Sequence, residues 1–258
     1  MDIKPPPQTD LLNEYLLLGN QTGSSILMPA WLPACHEVFH ERLVDSAYPC
    51  YLGSFAEKQG NIRYTFVQDE DREHLPETLK AFVDFVLTDL KQQRVLALFY
   101  KPEVEDKGHE YYEAKFWEVL QFLHHHDPQP WPAGHPADTA DPYWEFAFCG
   151  IAMFVFAVAP TYKFRKSRNL GDGMMVFFQP RNVFDGIEGD TPAGTRARKV
   201  IRDRLLVWDE VAPHPHLGNY GHASSLEWKQ YFLPDDNSPI TSECPFKNNG
   251  RQHDTEHD

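Results

Sequence analysis

The run "YWEFAFCGIAMFVFAVAP", residues 143–160, constrains the fold more than any other stretch of the chain. Two aromatic-rich apolar segments flank Cys149-Gly150 as strands flank a hairpin turn. A third apolar run, "GMMVFFQP" at 173–180, is expected to pair with them. Around these strands the pattern changes. "LPACHEVFHERLVDS" (32–46) reads as a short helix, and "YPCYLGSFAEKQG" (48–60) as a loop leading into the alternating strand "NIRYTFV" (61–67). Leu79, Phe82, Val83, Phe85, Val86 and Leu90 mark one helix face, and a buried strand, "RVLALFYK", follows. An amphipathic helix from about Glu110 to His126 is stopped by Pro128 and a proline-rich loop. Helical pattern returns in "TRARKVIRDRLLVWDEV", ahead of the loop "APHPHLGNYGH" and the segment "SLEWKQYFL". Strands grouped between helices, without regular alternation, predict an α+β fold: a mostly antiparallel sheet flanked by helices, in a single domain. Residues 1–24 are expected to form a partly ordered N-terminal segment, 25–246 the domain, and 247–258 a disordered polar tail.

Charge narrows the partners. With 24 Lys+Arg against 38 Asp+Glu, the net charge of -14 repels phosphate backbones and anionic membranes, so neither nucleic acid nor membrane is expected. The same field favours cationic small molecules such as amines and guanidines. The first residues, "MDIKPPPQTD", show no targeting pattern, and no run approaches the roughly 18 apolar residues of a membrane span. A soluble, cytoplasmic protein is expected. Four scattered cysteines, Cys35, Cys50, Cys149 and Cys244, suit reduced thiols rather than a disulfide framework. An aromatic content of 14% supplies walls for a large core or for a flat, apolar ligand.

Several motifs are absent: HExxH, CxxC, EF-hand spacing and a phosphate loop. "NLGDGM" lacks the GxGxxG spacing of a dinucleotide turn. On a helical wheel the 110–126 segment centres its apolar face on Phe116, Leu120 and Leu123. His125 then points away, while His124 and His126 sit at opposite edges of that face. "KFRKSR" (163–168) follows the hairpin and "QPR" (179–181) closes the third strand, so Arg165, Arg168 and Arg181 can converge at one end of the sheet. Guanidinium forks there would suit a bound dianion, and a solvated charge run is the alternative. "PHPHLGNYG" fixes a compact loop carrying His214 and His216.

Taken in order, "YPC" (48–50), "FW" (116–117), "LHHHD" (123–127), "WP" (131–132), "WEFAFCG" (144–150), "RKSRNLGDG" (165–173), "FQPR" (178–181), "HPHLGNYG" (214–221) and "EWKQYF" (227–232) resemble the YqcI/YcgG family. The resemblance extends from about residue 25 to "CPF" at 244–246. It implies a b-type heme protein: an oxidoreductase that oxygenates a guanidine, amine or aminoimidazole nitrogen of a small molecule in natural-product biosynthesis. Dioxygen, with an electron donor, or peroxide would be the oxidant. On this reading Arg165, Arg168 and Arg181 face the propionates, Trp144 and Phe146 form aromatic walls, and His214 binds the iron with Tyr220 near it. His124 is the alternative ligand, or else a catalytic residue of the distal pocket. Cys50 is a third ligand candidate, as a thiolate. Glu145 would act in catalysis by pairing with a cationic substrate, or else form a structural salt bridge to Arg165 or Arg168. A non-catalytic heme-binding, redox-sensing or gas-sensing protein would use the same pocket.

Overall fold

The computed structural model describes residues 14–19, 28–105, 107–189, 191–222 and 224–248. The expected N-terminal segment falls mostly, and the expected tail almost wholly, outside these residues. Among the described residues there are five helices, α1 (Leu32–Val44), α2 (Tyr51–Lys58), α3 (Leu75–Leu87), α4 (His109–His125) and α5 (Pro192–Trp208). Five strands accompany them: β1 (Ile62–Val67), β2 (Val95–Tyr100), β3 (Phe146–Phe148), β4 (Ile151–Val158) and β5 (Met175–Pro180). No described helix is long and apolar enough to cross a membrane.

The hairpin forms where the sequence places it. Cys149 and Gly150 both have positive φ, 47° and 77°, as a two-residue turn needs if its twist is to match that of the strands. Cysteine in this region is strained by its Cβ. The strain is offset by Asp127 at the end of α4, whose two carboxylate oxygens accept the Cys149 amide at 3.1 and 3.0 Å. The last residue of "LHHHD" therefore clamps the hairpin turn to the helix.

The sheet runs in the order β1-β2-β5-β4-β3 and is mixed, not mostly antiparallel. β1 and β2 pair in parallel, whereas β5 is antiparallel to both β2 and β4, and β4 to β3. Chain connectivity is the reason. The 13-residue α3 lies between β1 and β2, and a helical crossover returns the chain in the same direction.

α2 is the second departure from expectation, because residues 48–60 were expected to form a loop. Cys50 caps the helix, its sulfur accepting the Gly53 amide at 3.4 Å, and Gly60 with φ +66° turns the chain out toward β1. Cysteine is not among the usual capping residues, so the start signal was hidden.

Alternation on the strands gives the sheet two apolar faces. Leu96, Leu98, Val176, Phe178, Met153 and Val155 pack against α3 and α4, which bury Phe82, Val83, Phe116 and Leu120 completely or nearly so. On the other face, Tyr64, Ala97, Phe99, Met175 and Phe177 pack against Phe39 and Leu43 of α1. α5 also lies on this second side but is a poor fit to it. It buries only Gly194, Ala197 and Leu205, and leaves Val200, Leu206 and Val207 exposed. A space remains between α5 and the sheet.

Asp127→Ala should cost about 2 kcal/mol, the price of a buried charge-assisted acceptor lost from a strained turn. Urea unfolding measures this, and an unchanged midpoint would show that the hairpin holds its own turn.

Candidate active site

The space beneath α5 is a cavity of about 300 Å³, at the small end of ligand pockets. Phe154, Phe156, Gln179 and Val95 form its floor, on one face of β4, β5 and β2. Ile201 and Leu205 of α5 form the roof, and Tyr48, Pro49 and Cys50 at the start of α2 form one end. α5 is the least buried wall, holding only Gly194, Ala197 and Leu205 away from solvent.

Among the described residues Cys50 is the only soft donor lining this cavity, and no histidine or carboxylate lines it. The thiol sits at a helix N-terminus, on the Gly53 amide. Burial pushes its pKa up, while the Gly53 and Leu52 amides and the Arg168 charge pull it down. Burial is the larger effect, so without a metal ion beside it the sulfur stays a thiol. A metal ion would displace the proton, and the amides and Arg168 would stabilise the resulting thiolate.

The polar lining is cationic. In a chain of charge -14, Arg165, Arg168, Arg198 and Arg202 all face one cavity. Arg168 Nη1 donates to Ala157 O at 3.0 Å and Nη2 to Gln230 O at 3.0 Å, and its guanidinium lies 4.8 Å from the Phe156 ring centre. Arg165 Nε donates to Pro234 O and Nη2 to Asp236 O and Asn237 Oδ1, which leaves Nη1 without a partner among the described residues. Burial lowers the pKa of both, and for Arg165 the neighbouring Arg168 lowers it further. A guanidinium keeps its charge through such shifts. The nearby carboxylate, Asp209, is already engaged by the Ser167 amide and hydroxyl at 2.7 and 2.8 Å. Adjacent cations, Arg165 buried and Arg168 half-buried, favour an anionic guest.

The other residues singled out from the sequence fall elsewhere. His214 is buried, but Nε2 donates to Ser238 O and Nδ1 accepts the His216 amide, each at 3.1 Å, so neither ring nitrogen is left for a metal. His124 packs edge-on against Trp131 and Phe246, within the cluster on the opposite side of the sheet. Trp144 and Phe146 belong to that same cluster and line the core, not the cavity. Arg181 does not join Arg165 and Arg168. It pairs with the buried Glu145 and with Glu227 Oε1 at 3.2 Å, and stacks 3.8 Å from the Tyr220 ring centre. Glu145 thus has an internal partner, Arg181 rather than Arg165 or Arg168, and Tyr220 donates to Tyr143 O. His125 is exposed, as the wheel expects. Among the described residues no group of three or more His, Cys, Asp or Glu could hold a metal ion.

These placements sort the motifs, and comparison with known proteins identifies their source. The YqcI/YcgG family profile matches residues 39–247, most of the chain. The chain belongs to the YqcI/YcgG family. It is 37% identical over 227 residues to YcgG of Bacillus subtilis (strain 168), and 36% identical over the same length to YqcI of that organism. Both matches cover 85% of this chain and 89% of the relative, and both relatives are named as uncharacterized. It is 33% identical over 242 residues to DcsA of Streptomyces lavendulae, covering 91% of this chain and 90% of DcsA, which is provisionally named an N(omega)-hydroxy-L-arginine synthase. No solved structure matches the chain significantly.

Within this YqcI/YcgG chain the sequence reading missed Arg198, Arg202, Phe154 and Phe156 as cavity residues. Arg198 and Arg202 stand four apart on α5, one helical turn, and Phe154 and Phe156 stand two apart on β4, so each pair shares a face. That periodicity was the available signal. What it lacked was the knowledge that α5 crosses β4.

Two carboxylates share the one guanidinium of Arg181, and burial raises the pKa of Glu227 above its ordinary 4.5. The unfolded chain releases that proton first, so between the two values the folded state holds more protons and stability falls as pH rises. Glu227→Gln should flatten this part of the profile just above pH 4.5. Urea midpoints against pH for both proteins provide the check, and coincident profiles would mean that Glu227 is ionised throughout.

Proposed function

We propose that the chain is a heme-dependent N-oxygenase that oxidises a guanidine, amine or aminoimidazole nitrogen of a small molecule. The observation that carries this reading is the cavity itself. It combines one soft donor at a helix N-terminus, an aromatic floor, and arginines, among them the buried Arg165, with no carboxylate among the described lining residues. These are the parts that a b-type heme asks of its host: an axial ligand, apolar walls and cations for two propionates. The name of DcsA supports the nitrogen-oxidising half of the reading.

In this site Cys50 would hold the iron. Cys50 takes precedence over His214, whose two nitrogens are engaged, and over His124, which lies in the other layer. Arg165 through its unpaired Nη1, with Arg168 beside it, would face the propionates. A heme held there by the Cys50 thiolate would supply reductive activation of oxygen. The chain does the rest. Phe154, Phe156 and Leu205 exclude water, and the Gly53 amide and Arg168 temper the charge on sulfur. The walls would hold and orient the substrate's nucleophilic nitrogen within the cavity.

Hemin titration should give about one heme per chain, with a Soret band of thiolate character. Cys50→Ser should lose that character, whereas His214→Ala and His124→Ala should keep it. Reduction in air with L-arginine or other guanidines should yield a product heavier by one oxygen atom. Heme bound without any such product, across a panel of guanidines and amines, would favour a sensing or carrier role. A chain that takes up no hemin would sink the proposal.

A further inference from the structure

Beside the cavity lies a second, polar cleft of about 230 Å³, and the two meet at Arg202 and Gly218. The rest of its lining is Pro215, His216, Asn219, His222, Ser224 and Ser225, with no carboxylate among them. Ser225 is 5% exposed, and its hydroxyl is buried without a hydrogen-bond partner among the described residues. It sits against Gly218, where any Cβ would collide with the Ser225 oxygen. A buried hydroxyl that no described protein group satisfies, lining a cleft, calls for a ligand atom. Arg202 donates to Leu217 O through Nη2 at 2.6 Å and keeps further N–H groups for a guest. Burial lowers the pKa of His216, so its ring is a neutral donor. One guanidinium among neutral donors matches a monoanion; a dianionic phosphate would ask for a second cation.

We infer that this cleft is a carboxylate subsite. The substrate is then an amino acid or a related nitrogen-bearing acid, not a bare amine. Its carboxylate rests on Arg202, Ser225 and His216, and its nitrogen-bearing chain passes Gly218 into the cavity. The identity of that chain rests on the N-oxygenase reading; the carboxylate subsite rests on the cleft alone.

L-Arginine and agmatine are the probes, since they share a guanidinium and differ by the carboxylate. Calorimetry on the full chain, without and with heme, reads their affinities separately from turnover. L-Arginine should bind at least about tenfold tighter than agmatine, the value of one charge-assisted contact. Arg202→Met should bring the two within about threefold, through weaker L-arginine binding, and Ser225→Ala should remove part of the preference. Equal affinities in the parent protein, including no binding of either, would overturn the inference, as would a preference that survives Arg202→Met. A preference seen without heme and lost on heme loading would assign the cleft to a porphyrin propionate and also overturn it. A chain that prefers L-arginine but takes up no hemin would keep the subsite and sink the oxygenase reading.

Discussion

The guanidinium of Arg168 is the interaction on which the second face of the sheet depends. It reaches the carbonyls of Ala157 on β4 and of Gln230 in the segment that closes the molecule, and it stacks on Phe156. Those carbonyls are near the core, where each unsatisfied group costs about 1–3 kcal/mol. One residue earlier, Ser167 locks onto Asp209 at the end of α5 through its amide and its hydroxyl. Two neighbouring residues thus tie the sheet, the closing segment and α5 together. The cavity exists because these ties hold α5 beside the sheet without packing it down.

The two faces of the sheet differ in kind. Beneath α3 and α4 the large side chains are buried in one continuous apolar cluster, so that layer is ordinary core. Beneath α5 the aromatic floor is only half covered, and the polar groups at its edges are arginines. In an acidic protein such a cavity concentrates positive potential where the rest of the surface is negative. That contrast is what makes an anionic guest the natural complement of this space.

The motif residues divide between these layers. Asp127 and His124 of "LHHHD", with Trp144, Glu145 and Phe146 of "WEFAFCG", build and clamp the hairpin side. Cys50 of "YPC" and Arg165 and Arg168 of "RKSRNLGDG" face the cavity. Arg181 of "FQPR" answers the buried charges of Glu145 and Glu227. A recurring polar residue can serve chemistry or satisfy a neighbour's charge, and the two uses look alike until contacts are known.

The hairpin with its turn at Cys149-Gly150, the partner strand at 173–180, the amphipathic α4 and the outward His125 were legible from local pattern, because periodicity and turn chemistry act within a few residues. α2 was not, since a cysteine cap carries no strong start signal. Nor was the parallel β1–β2 pair, although the intervening helix hinted at it. The sequence by itself determined which residue types were available for a heme-like guest: an isolated cysteine, several histidines and a run of arginines. Only the tertiary structure decided among them. His214 spent both nitrogens on backbone partners, Arg181 was drawn to Glu145, and Cys50 was left facing the cavity beside Arg165 and Arg168. Pattern along a chain fixes which way a side chain turns from its own element. What it meets there depends on which element crosses it, and that is set by packing between residues distant along the chain.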